Sequence, residues 1–211
     1  RQTFFDSEWY VTAQEIFEAY PSDNEPLSSN VSLESLGISQ AVNKPFVFIT
    51  ANENYLNRAI NIAKEFNLNT WILGSGYEYR RLDYYSNKKP FFILPIDFPS
   101  KPSVLKPMSD LQYSTEELKH WDMAPDNLFY LNDAGLDFSI TSHNLKKKSQ
   151  FRANLQKIID RGLSEDIVLA SLTTQPAEAI GMQKSLGKIA PGYDANLAIV
   201  DGEYFDPKSR V

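Results

Sequence analysis

The chain has 211 residues, 42% of them hydrophobic and 23% charged, with a net charge of -6 and no cysteine. The acidic balance argues against nucleic acid as a partner. The lack of cysteine excludes disulfides, thiolate metal sites and a cysteine nucleophile. No run approaches the roughly 18 apolar residues of a membrane span.

Residues 4–20 carry a helical pattern, with Asp6 or Ser7 as its expected cap, and residues 31–42 a weaker one. A regular alternation then begins. Short apolar runs at about 46–50, 69–73, 91–95 and 137–141 read as β-strands covered on both faces. Between the first two, Leu56, Ala59, Ile60, Ala63 and Phe66 share one helical face. A helix is expected over 77–85. A connection containing Pro95, Pro99, Pro102 and Pro107 follows the third strand, and helices are expected over 115–121 and 125–134. Phe151, Leu155, Ile158 and Ile159 mark the helix after the fourth strand.

Strands separated by helices at this spacing imply βαβ units and a parallel sheet. Right-handed crossovers would curl four units into half of a (β/α) barrel. A doubly wound sheet is the runner-up, but no Gly-rich phosphate loop follows a strand: Gly74-Ser75-Gly76 does not continue to GxGxxG. A complete (β/α) barrel needs about 250 residues. The expectation is therefore an α/β partial TIM-like barrel over 1–183, with its N-terminal half missing.

The end of the chain is the most specific stretch. Ser164 caps a helix with Ile167, Leu169, Ala170 and Leu172 on its packing face, and Pro176 opens a second short helix stopped by Gly181. Residues 188–190 and 195–200 then read as β-strands. The series LTTQPAEAIG followed by LGKIAPGYDANLAIVDG resembles the C-terminal signature of the amidohydrolase superfamily. That resemblance implies the last four strands of a TIM-type barrel, with 184–211 returning into a small β-sandwich. It implies a hydrolase acting on carbon–nitrogen bonds other than peptide bonds. Members hold one or two divalent metals at the strand tips, where a metal-bound water becomes the nucleophile.

The ligand positions depart from that pattern. The resemblance puts a histidine at the tip of its fifth strand, where this chain has Thr50. It puts another at the sixth, where Gly74 stands, and an aspartate at the eighth, occupied or adjoined by His143. Catalytic zinc needs about three protein ligands and an open position. The expectation is a degenerate site with no metal ligand set, no confident catalytic residue, and Thr50, Gly74 and His143 as its vestiges. His143 remains a lone ligand, a proton shuttle or a loop residue. His120 reads as a packing or surface histidine. Glu53 and Glu78 fit helix N-termini, where acidic residues are favoured by the dipole. Tyr55, Tyr77 and Tyr79 could line a pocket, which keeps a small-molecule binding barrel open. An active enzyme, with zinc held partly by residues outside this chain, is the other alternative.

The segments at 118–127 and 140–145 are similar to the first of two amidohydrolase modules in long bacterial proteins. There the first module looks degenerate and an imidazolonepropionase-like second module keeps the metal motif. This narrower resemblance implies a second module as partner and a periplasmic or secreted setting. Exposed sheet edges add a homodimer as an expectation.

Overall fold

The computed structural model describes residues 1–23, 25–86, 89–103, 112–206 and 208–210. Pro107 lies outside them. Four strands, β1 (Phe46–Ile49), β2 (Thr70–Leu73), β3 (Phe91–Pro95) and β4 (Phe138–Thr141), form one parallel sheet in the order β1-β2-β3-β4. A doubly wound sheet reverses its strand order at a switch point. Here each strand pairs with the next in sequence, so right-handed crossovers all progress in one direction. That is the arc of a (β/α) barrel.

Register sorts the side chains into two faces. Phe48, Ile72, Phe92 and Phe138 stand in one row, and Leu94 pairs with Ile140. This face meets the helices: Ile72, Phe92, Leu94 and Phe138 are fully buried. The opposite row holds Ile49, Leu73 and Ile93, with Val47, Trp71 and Phe91 one step below. In a closed barrel such side chains fill the interior. Here Val47 and Ile49 are 52% and 77% exposed. The sheet thus has a finished outer face and an open, apolar inner one.

The helices follow from caps and apolar spacing. In α3 (Glu53–Glu65), Asn52 accepts hydrogen bonds from the Asn54 and Tyr55 amides, and Leu56, Ala59, Ile60 and Ala63 are buried. The helix α5 (Thr115–Met123) starts in a full capping box between Ser114 and Glu117. Next come α6 (Asn127–Asp133) and α7 (Gln150–Asp160), the latter burying Asn154, Leu155 and Ile158. The Ser164 hydroxyl caps α8 (Glu165–Leu172), and α9 (Thr174–Ala179) contains Pro176. Both pack on β4.

Three expectations need correction. The first helix, α1 (Gln2–Ala19), starts ahead of Asp6 and Ser7. Tertiary contacts anchor its first turn: Phe4 stacks on Phe66 and Arg1 pairs with Glu65. Ser7 is buried instead, its hydroxyl donating to the Leu33 carbonyl of α2 (Val31–Ala41) at 2.8 Å.

The expected helix over 77–85 is divided between a 3-10 turn, Glu78–Arg81, and α4 (Leu82–Ser86). Asn127 accepts from the Tyr79 amide at 2.8 Å, so tertiary structure holds this turn from outside.

Residues 188–190 and 195–200 form no strand, and only the Asp201–Arg210 bridge pairs there among the described residues. A strand requires a neighbour for its backbone groups. Ile189 and Ile199, 89% and 87% exposed, have found none. Arg152 nevertheless ties this tail to α7, donating to the carbonyls of Tyr204, Asp206 and Ser209.

Candidate functional site at the strand tips

Chemistry in (β/α) barrels concentrates at the C-terminal ends of the strands. There the structure has a cavity of about 570 Å³. Thr50 reaches it from β1, Gly74 and Ser75 from β2, Asp97 from β3, and His143 from β4. The three positions singled out in the sequence therefore converge on one mouth.

Each contributes differently. The buried Thr50 donates its hydroxyl to the Leu73 carbonyl at 3.0 Å, so its proton closes the tip of the sheet. A Cβ placed on Gly74 would lie 2.7 Å from Glu78 Oε1 and 2.8 Å from Leu94 Cδ2. That position points into packed protein, so a larger residue there would strike the core. His143 is exposed on a turn whose amide donates to Thr141 Oγ1 at 3.2 Å.

Sequence reasoning missed Asp97. Pro95 and Thr141 are register partners at the ends of β3 and β4, and Asp97 and His143 each stand two residues further on. Partial burial raises the Asp97 carboxyl above the ordinary aspartate range, while a backbone hydrogen bond and then the neighbouring His143 pull it back. The signal was available in principle, as the first titratable residue after the third strand. It lay among the prolines and read as connection.

Glu78 has a different task. Its carboxylate accepts from the Ser75 amide at 2.6 Å, the Gly76 amide at 3.0 Å and Asn127 Nδ2 at 2.7 Å. It is 1% exposed, and its oxygens are satisfied by fixed donors. This clamp holds the loop after β2 and is turned away from the mouth. Glu53 pairs with Arg80 at 3.2 Å. Tyr55 lines the mouth, whereas Tyr77 stacks on His120 with centroids 3.7 Å apart, and the Tyr79 hydroxyl lies 3.4 Å from Nδ1 of the same ring. Burial, then Arg80, holds the His120 imidazole below its ordinary pKa.

A catalytic divalent ion asks for about three protein donors around an open position. Among the described residues, no three or more His, Asp and Glu side chains converge. The mouth offers Asp97 and His143, with the Thr50 hydroxyl already engaged. This donor set does not fit a catalytic zinc held by this chain alone.

Residues 131–211 match the model of the amidohydrolase family. No curated protein matches the chain. Among solved structures, an amidohydrolase from Thermotoga maritima superposes with a TM-score of 0.76 at 22% identity, covering 99% of this chain and 51% of that one. A prolidase complexed with N-methylphosphonate-L-proline gives a TM-score of 0.55 at 20% identity, covering 80% of this chain and 41% of that one. At these identities the structures speak for the fold, and this chain spans about half the length of the Thermotoga protein. The C-terminal part of the chain is thus similar to the amidohydrolase family, and the whole chain shares its fold with about half of an amidohydrolase.

Proposed function

We propose that this chain is an amidohydrolase-type barrel module whose strand tips have given up the metal, and which acts through packing. The observation that carries the proposal is the donor set: an engaged Thr50 hydroxyl, a glycine at position 74 whose Cβ direction is blocked, and only Asp97 and His143 left. Its partner is a complementary barrel half that covers the open face at Val47 and Ile49. The narrower setting is the first module of an imidazolonepropionase-like pair in a bacterial protein. The sandwich strands would then gain their pairing from the same partner.

One observation favours a competing reading, an active hydrolase of non-peptide carbon–nitrogen bonds. Asp97 and His143 share the mouth and could contribute two donors to a site completed by another segment. Zinc titration followed by calorimetry, run on a protein that carries the completing segment as well as on this chain, separates the two. The scaffold reading expects weak, non-stoichiometric heats that are the same in His143→Ala. One tight site per chain, lost in that variant, would establish the competitor.

A further inference from the structure

Beside the mouth lies a larger cavity of about 800 Å³. Its walls are residues 97–101 after β3, residues 144–146 after β4, Trp121 and Pro125, and α7 with Arg161 at its end. Three lysines reach it, one from each of the two segments and one from α7: Lys101, Lys146 and Lys157. None forms an ion pair among the described residues. Arg161 on the same wall is already held by Asp122 and Asp126. In a chain of net charge -6, three uncommitted ammonium groups around one cavity are not background composition.

The cavity is built into the fold. Buried Asn154 donates from Nδ2 to the Ile96 carbonyl at 2.7 Å, fastening α7 to the chain just beyond β3. The place is also significant. In (β/α) barrels the loops after the last two strands frequently hold phosphate groups, and β3 and β4 are the last two strands of this arc. Two carboxylates oppose the lysines. Asp160 lies one turn after Lys157 on α7, and Asp97 stands at the end shared with the mouth. Asp97 and Asn144 line both cavities, so the lysine-bearing cavity adjoins the mouth at these two residues.

We propose that this side cavity binds the dianionic group of a small molecule, a phosphoryl group or paired carboxylates, whose remainder passes Asp97 and Asn144 toward His143. The lysines supply charge-assisted hydrogen bonds to the anion, and Asp97 accepts from a donor on the remainder. This goes beyond the scaffold proposal and does not depend on metal content. It adds a ligand to a module whose packing role stands either way.

The test is calorimetric titration of the full chain with inorganic phosphate and, separately, with malonate. Saturable binding of phosphate is expected. It should weaken at least about tenfold in the Lys101→Gln, Lys146→Gln, Lys157→Gln triple variant. The Lys147→Gln, Lys148→Gln variant, altered at neighbouring lysines outside the cavity, should bind as the parent does. Phosphate binding alone assigns a phosphoryl group, and malonate binding alone or alongside assigns paired carboxylates. Should the triple variant lose its near-ultraviolet dichroism, Lys146→Gln alone must still weaken binding. No saturable binding of either anion up to about 10 mM, or equal loss in the cavity and neighbouring variants, overturns the proposal.

Discussion

Asp97 and His143 occupy equivalent steps beyond the paired ends of β3 and β4 and meet at one mouth. Asp97 is exposed overall, and partial desolvation raises its carboxyl above the ordinary aspartate range. A group raised in this way supports the fold below its unfolded pKa and loses that support as pH rises through the folded value. The Asp97→Asn variant, which carries no charge to desolvate, should therefore be as stable as the parent or slightly more so at pH 7. The gain should be under about 1 kcal/mol, because the side chain also meets water. Thermal unfolding at pH 5 and pH 7 reads it, and a clear loss at pH 7 would assign Asp97 a favourable ionic role instead.

The Glu78 clamp should be worth much more than the mouth residues. In Glu78→Ala, the Ser75 and Gly76 amides and Asn127 Nδ2 lose their acceptor inside the protein. Leaving buried donors unmatched costs about 1–3 kcal/mol each, without full additivity. A total loss of about 3 kcal/mol is expected by urea unfolding, with the m-value unchanged.

His120 carries the clearest pH dependence. Its pKa is depressed in the fold by burial and by Arg80, while Glu53 and Glu116 oppose that shift. A depressed group supports stability above its unfolded pKa and loses it as pH falls through the folded value. The melting temperature should drop between pH 7 and pH 5.5. A phenylalanine in its place keeps the stack on Tyr77 and cannot be charged, so His120→Phe should flatten that slope. An unchanged slope would show that other groups govern it.

Arg152 should be a local fastener. It reaches three tail carbonyls from α7 and lies over the Tyr204 ring, 5.5 Å from its centroid. Arg152→Ala should raise hydrogen exchange in the tail around 201–210 at least about tenfold while β2 and β3 keep their protection. Equal loosening of the sheet would contradict this division.

The barrel arc was legible because each β-unit is locally consistent. Apolar runs of strand length alternate with helices such as α3, whose buried residues Leu56, Ala59, Ile60 and Ala63 stand at helical spacing. What escaped depends on partners distant in sequence. The start of α1 is set by Phe66 and Glu65, and the split after Tyr77 by Asn127. The tail residues 195–200 have the composition of a strand and no neighbour to make them one. At the site, motif positions led to Thr50, Gly74 and His143. Asp97, the first titratable residue after the third strand, was hidden among prolines until register set it level with His143.

The central claim is that these strand tips cannot hold a catalytic ion by themselves. Plasma emission on the protein purified from zinc-supplemented cultures tests it most directly. The account predicts well under one metal ion per chain, unchanged in His143→Ala. One zinc per chain in the parent, absent from that variant, would contradict it.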